Sequence, residues 1–274
     1  MAHLEQFQFI AAVKAAFPGF FSAARTLEIG SLDINGSVRR LFDGGTYIGL
    51  DVAPGRGVDI VCKGQDFHAP DNSFDTVISC EAMEHNPEWK PTMVNMIRLC
   101  RPGGLLVMTC ATTGRKEHGT TRSSPDDSPL TIRLGWEYYR NLTERDFRDA
   151  LALEHDLEIV AFFANWASRD IYMVGFKRGS PPPANAAEHF RAIRRHYRRA
   201  NRLHAFTSGY VVMRALVAVF GETGHTVFDG WRRPLRRMLG RGYRLAKALA
   251  SRVVRLRGAV PPAAPSHSGD QTPR

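Results

Sequence analysis

From Thr26 onward, short β-rich apolar runs alternate with stretches whose apolar residues recur at helical spacing, the pattern of a parallel sheet covered by helices. Seven runs read as strands: Thr26 to Gly30, Thr46 to Asp51, Val58 to Cys62, Thr76 to Cys80, Gly104 to Cys110, Leu157 to Ala164 and Ile171 to Lys177. Between them, Ser37 to Phe42 reads as a short helix. Trp89, Met93, Met96, Ile97 and Cys100 recur at helical spacing until Pro102-Gly103 stops the run. Thr143 to Ala152 is a further helix, with Thr143 as its cap and Glu144 in its first turn. Only Asn165 to Arg169 separate the last two strands, too few residues for a crossover helix, so these strands form an antiparallel hairpin.

This pattern divides the chain. Residues 1–23 read as an N-terminal helix, 24–178 as the α/β domain, 179–186 as a linker, 187–258 as a basic amphipathic helical extension and 259–274 as a disordered tail rich in Pro, Ala and Ser. In the extension, Phe190, Ile193, Tyr197 and Ala200 make one apolar stripe amid arginines, and Tyr243, Ala246, Leu249, Val253 and Leu256 make another. The apolar segment at 209–221 carries Arg214 and is too short to span a bilayer, and no uncharged apolar run of about 18 residues exists elsewhere.

Charge sharpens the division. Residues 178–274 hold 19 Lys and Arg against 4 Asp and Glu, a net +15, which leaves −5 for residues 1–177. A cationic tail of this kind suits an anionic membrane surface, nucleic acid or an acidic partner, or is simply a solvated arginine-rich face. The N-terminus lacks the basic start and cleavage site of a secretory signal. Cys62, Cys80, Cys100 and Cys110 stand singly, without the paired spacing of a metal site, so no metal is expected and a reducing, cytoplasmic setting fits.

The candidate chemistry begins at the end of the first strand. In LEIGSLDINGS, Gly30 permits a tight turn and Asn35, Gly36 and Ser37 open the next element, a passage that brings backbone N–H groups to a ligand. Asp51 ends the second strand 21 residues after Gly30, where a carboxylate can accept hydrogen bonds from both ribose hydroxyls of an adenosine ligand. A dinucleotide requires a glycine two residues after Gly30 so that backbone can approach its pyrophosphate, and Leu32 stands there. The turn and Asp51 together indicate a nucleoside cofactor; Leu32 and the antiparallel final hairpin, which a dinucleotide domain does not need, favour S-adenosylmethionine (SAM), which has no phosphate, over NAD.

Four passages then match in order: TLEIGS, YIGLDVAPGRGVDIV, APDNSFDTVISCEAMEH and MIRLCRPGGLLVMTC. Through them residues 24–178 resemble the class I SAM-dependent methyltransferases. The resemblance implies a seven-stranded Rossmann-like sheet with an antiparallel last strand. It implies that Gly30 and Ser31 approach the amino-acid part of SAM, that Gly36, the displaced last glycine of the loop, belongs to the cofactor site, that Asp51, with Val52 beside it, binds ribose, and that Gln65 and Asp66 lie near adenine. Cys80 and Glu81 edge the site at the end of the fourth strand, and Glu28 orders the glycine loop or the methionine amino group. The chain departs from the family pattern in two places: LDING replaces the usual glycine cluster, and Lys63 replaces an acidic residue near adenine.

For the acceptor, two histidines are candidates for the base that an alcohol requires, since imidazole titrates in the useful range. His85 closes CEAMEH, near the methyl donor. His118 lies in the loop from Thr112 to Arg140 after the fifth strand, and loops at that end of such a sheet line the acceptor site. The loop is rich in Arg, His, Ser, Thr and Asp, which suits a saccharide or other hydroxylated small molecule. NLT at 141–143 reads as a helix cap, with no glycosylation expected. Two other readings stay open: an RNA methyltransferase that uses the basic tail as a clamp, for which no NPPY-type signature is found, and a non-catalytic SAM-binding module.

Overall fold

Two-residue alternation along the strands decides the architecture, because each strand contributes apolar side chains to both faces of a single sheet. The structure is a computed structural model that describes residues 3–208, 210–220, 224 and 228. Its strands are β1 (Arg25–Ile29), β2 (Thr46–Asp51), β3 (Ile60–Val61), β4 (Phe74–Cys80), β5 (Cys100–Ala111), β6 (Leu157–Asn165) and β7 (Asp170–Lys177). They form one sheet in the order β3-β2-β1-β4-β5-β7-β6, with β7 antiparallel to both β5 and β6 and the other pairs parallel. This is the seven-stranded Rossmann-like sheet with an antiparallel last strand that the hydrophobic pattern predicts.

The helices are α1 (Leu4–Ala16), α2 (Trp89–Leu99), α3 (Pro129–Arg133), α4 (Glu144–Ala150), α5 (Leu153–Asp156), α6 (Ala186–Ser208) and α7 (Tyr210–Phe220). On one face of the sheet, Leu27 and Ile29 of β1, Leu106, Met108 and Cys110 of β5, and Met173 of β7 pack with Trp89, Met93, Met96 and Ile97 of α2. Each of those four α2 side chains stabilises the fold by about 1.5–3 kcal/mol through burial. On the other face, Leu105 and Val107 of β5 and Tyr172, Val174 and Phe176 of β7 meet Phe9, Ile10 and Val13 of α1.

The structure differs from the sequence pattern at several boundaries. The passage from Ser37 to Phe42 makes only a single 3-10 turn, Val38–Leu41, with Ser37 Oγ accepting from Arg39 N at 3.0 Å. Gly44-Gly45 follow at once, and a Cβ at Gly45 would stand 2.1 Å from the Ala24 carbonyl oxygen, so the chain must enter β2 there. Strand β5 begins at Cys100, ahead of the Pro-Gly-Gly turn, because a register shift between Phe74 and Thr76 lets Cys100 pair with Phe74. The α4 helix starts where Thr143 predicts: Thr143 Oγ1 accepts from Asp146 N, and the Asp146 carboxylate accepts from Thr143 N at 2.9 Å. This capping box satisfies two donors at once.

Beyond the domain, the first apolar stripe of the extension faces the sheet. Phe190 is 4% exposed and, with Ile193 and Tyr197, joins the α1 side of the core. Asn201 fastens the helix to the β6-β7 turn, its Oδ1 accepting from Trp166 N at 3.0 Å and its Nδ2 donating to Ala164 O at 2.7 Å. Arg191, Arg194, Arg195, Arg198 and Arg199 are exposed on this helix. The second stripe, Tyr243 to Leu256, and the tail 259–274 lie outside the described residues. Among the described residues, no helix is long and apolar enough to cross a membrane.

Candidate active site

The strand order reverses between β1 and β4, and ligands of open α/β sheets bind in the crevice outside the strand ends at such a switch point. A pocket opens there. Its walls include Glu28, Gly30, Ser31, Leu32 and Gly36 from the β1 side, Asp51 from β2, Cys80, Glu81 and His85 from the β4 side, and Asp127 to Thr131 from the long loop. It encloses about 630 Å³ of empty space, part of it open solvent.

The floor is backbone held in place by β2. Gly30 N and Ser31 N both donate to Leu50 O at 2.9 Å, and Leu32 N donates to Asp51 Oδ2 at 2.9 Å. Gly30 sits at φ +81, and a Cβ there would lie 2.4 Å from the Ala82 Cβ, so both conformation and space require glycine. The LDING departure has a local reason: Asp33 Oδ1 accepts from Gly36 N at 2.7 Å, so a side-chain-braced turn replaces a glycine-rich one. Ser31 Oγ is buried at the pocket without a hydrogen-bond partner in the protein.

Two carboxylates flank this floor. Asp51 Oδ1 accepts from Val52 N at 2.8 Å, so each of its oxygens keeps lone-pair capacity for a further donor, and burial raises its pKa. Glu28 is 4% exposed; burial pushes its pKa up to about 7, against the hydrogen bond that its Oε2 accepts from Tyr47 Oη at 2.8 Å. Glu81, at the end of β4, holds φ +53. That left-handed conformation costs a non-glycine residue on the order of 1–3 kcal/mol, of the kind concentrated at functional sites.

A buried ionic group that no sequence pattern indicates supports Glu81. His3, the N-cap of α1, places Nε2 2.9 Å from Asp170 Oδ2 and 3.6 Å from Glu81 Oε2, and Arg115 Nη1 lies 3.3 Å from Asp170 Oδ1. Burial works to lower the His3 pKa, but the hydrogen bonds and charges of Asp170 and Glu81 outweigh it and raise the value to about 10.

The two histidine candidates, 33 residues apart in the chain, come together. Their ring centroids are 4.9 Å apart and nearly perpendicular, with the Tyr139 ring beside both. Burial lowers the pKa of each, which leaves both imidazoles neutral at pH 7. Glu84, buried beside them, is not singled out by the sequence, and its place in CEAMEH next to His85 is its one local mark.

The structure gathers Glu28, Gly30, Ser31, Gly36, Asp51, Cys80, Glu81 and His85 around one pocket. Val52 contributes its N–H to Asp51 and is not a wall residue. Gln65 and Asp66 form a 3-10 turn packed against α2, where Gln65 Oε1 accepts from Thr92 Oγ1 at 3.1 Å, and they do not line the pocket. Lys63 Nζ stands 5.6 Å from the centroid of the Trp136 ring in the long loop.

Residues 35–108, which run from the glycine loop into β5, match the model of a methyltransferase-domain family. That match and this sheet order agree with the resemblance to class I SAM-dependent methyltransferases that the sequence carries. Among solved structures it is similar to a phosphoethanolamine N-methyltransferase 2 of Haemonchus contortus in complex with phosphomonomethylethanolamine and S-adenosylhomocysteine, with a TM-score of 0.45 and 16% identity over 63% of this chain and 53% of that one. It thus spans about half the length of that protein. It is also similar to a SAM-dependent methyltransferase of Mesorhizobium loti (TM-score 0.43, 16% identity, 62% of this chain and 98% of that one). A third similar structure is the N-methyltransferase NodS of Bradyrhizobium japonicum with S-adenosylhomocysteine (0.42, 15%, 64% and 86%). No curated protein matches the sequence.

Proposed function

We propose that the protein transfers a methyl group from SAM to a polar small-molecule acceptor, a hydroxyl of a saccharide or similar compound. The observation that carries this reading is the pocket itself, in which the switch-point cradle and the hydroxyl-bearing loop residues share one space. Ser31 Oγ, buried and without a protein partner, and the free lone pairs of Asp51 are the polar atoms such a cofactor needs. When bound, SAM supplies a methyl carbon made electrophilic by its sulfonium, so the chain has chiefly to align the reactants and exclude water.

Residues of the chain would share that work as follows. Gly30, Ser31 and Asp51 bind the donor, and Glu28 and Glu81 set the charge around it. Asp127, Ser128 and Thr131 offer the acceptor a carboxylate and two hydroxyls; Ser128 Oγ and Thr131 Oγ1 lie 2.7 Å apart. His85, on the pocket wall with His118 beside it, would stand where an acceptor hydroxyl gives up its proton.

The tail belongs to the same proposal. Because the stripe of α6 is docked on the domain, its exposed arginines form a cationic outer surface, which suits adsorption to anionic lipid headgroups rather than insertion. Sedimentation of the full chain with anionic vesicles at low and moderate salt tests this, and absence of binding at low salt refutes it.

Calorimetric titration with SAM tests the main reading. The wild type should bind in the micromolar range, and Asp51→Ala should bind about 10–100-fold more weakly, the loss expected for hydrogen bonds to a charged group. Incubation with SAM and a saccharide panel should then yield S-adenosylhomocysteine. A folded protein that ignores SAM refutes the proposal; one that retains SAM without turnover on any acceptor is a binding module.

A further inference from the structure

The 3-10 turn Met83–His85 after β4 and the long loop bring Glu84, His85 and His118 into one buried group. One ligand atom from each lies within 4.8 Å of the other two, and the residues are 0%, 2% and 7% exposed. Despite this closeness, they do not satisfy one another. Glu84 Oε1 accepts from Ala111 N at 3.1 Å, but Glu84 Oε2, both ring nitrogens of His85 and His118 Nε2 are buried without a hydrogen-bond partner. Native interiors rarely leave four such atoms unpaired in one place, and an unplaced ion is among the ordinary causes.

The arrangement also has the features of a ligand set. His118 Nδ1 lies 2.9 Å from Lys116 O, and a carbonyl can only accept, so Nδ1 carries the hydrogen and the lone pair is on Nε2, pointing into the group. A backbone carbonyl in that role is the outer contact that fixes the tautomer of metal-binding histidines. The His85 ring is pressed by the loop backbone: a Cβ at Gly119 (φ +65) would lie 2.7 Å from His85 Cε1 and 3.1 Å from Nδ1. Two imidazoles and one carboxylate, with no thiolate, is a donor set suited to zinc and its divalent neighbours that leaves coordination positions open.

We propose that Glu84, His85 and His118 form a binding site for a divalent transition-metal cation of the zinc type, with its open positions toward the SAM pocket that His85 lines. Ligands at about 2.0–2.1 Å from the ion would stand about 3.3 Å apart, so the group closes by roughly an ångström through side-chain rotation. The site stands on its own geometry; its role rests on the function proposed above and deepens it. An acceptor hydroxyl on an open position would be made more acidic, lose its proton to solvent and present an alkoxide to the methyl carbon.

The test uses the full chain, dialysed against chelator and then titrated with Zn²⁺ by calorimetry and with Co²⁺ by visible absorption. The wild type should bind one equivalent with micromolar or better affinity, show the ligand-field bands of a low-coordinate Co²⁺ site, and melt at higher temperature with the ion present. Glu84→Gln, which keeps the oxygen that accepts from Ala111 N, and His118→Ala should each weaken binding at least 100-fold while binding SAM as the wild type does. A folded wild type that binds neither ion, or variants that bind them equally well, overturns the proposal. SAM binding is read in the same samples, so zinc binding without SAM binding would overturn the methyl-transfer reading alone, and SAM binding without zinc binding the metal site alone.

Discussion

Replacing Glu28 by glutamine should make the protein more stable at pH 8 and leave it nearly unchanged at pH 5. The Glu28 carboxyl is buried beneath the glycine loop with the Tyr47 hydroxyl as its hydrogen-bond partner, and burial lifts its pKa from 4.5 to about 7. The folded state therefore holds a proton that the unfolded chain has already released between those values. A group with a raised folded pKa contributes stability that is fully present below the unfolded value and is lost as pH climbs through the folded one. A rise from 4.5 to about 7 corresponds to on the order of 3 kcal/mol. Glutamine keeps an oxygen for the Tyr47 hydroxyl and carries no charge, so the variant lacks this loss. Urea denaturation of both proteins at intervals from pH 4.5 to 8 measures it. The difference in unfolding free energy should open across pH 4.5 to 7 and level off above; a constant difference would refute the burial argument.

Other consequences concern the parts around this carboxyl. Gly30→Ala combines a positive φ with a 2.4 Å approach to the Ala82 Cβ, and should destabilise the fold by about 1–3 kcal/mol in thermal melts while also weakening SAM binding. His3→Ala leaves Glu81 and Asp170 buried without their shared cation. Stability from His3 is present below about pH 6.5 and lost as pH rises toward about 10, so the variant's deficit in melting temperature should be large at pH 6 and shrink by pH 10. Phe190→Ala should cost about 3–5 kcal/mol and increase proteolysis within α6, because that ring anchors the helix to the α1 side of the core.

Much of this was legible before any coordinates. Strands β1, β2 and β4 fall within one or two residues of the apolar runs that predict them, and the hairpin of β6 and β7 follows from the shortness of Asn165 to Arg169. Gly30 and Asp51 mark the pocket at the strand ends because a tight turn and a strand-end carboxylate are local features, visible in the types of residue and their spacing. The β3 strand reduces to Ile60–Val61, the two residues that pair with Leu50 and Asp51 of β2. The Ser37 helix shrinks to one turn because contact of Gly45 with Ala24, a neighbour only in the fold, sets where β2 begins.

By itself the sequence determined whatever depends on neighbours within a few positions: strand periodicity, the Thr143 cap, the glycine turn, and the separation of an acidic domain from a basic extension. Tertiary structure decided everything that depends on residues meeting across the chain. It set His118 of the loop against His85 and Glu84 of the β4 end, carried His3 to Asp170 across nearly the whole domain, and turned the stripe of α6 onto the sheet. The physical reason is that burial and charge pairing act through space. The pattern of a segment says that it has an apolar or polar face, whereas what covers that face is settled only when the sheet has ordered its strands.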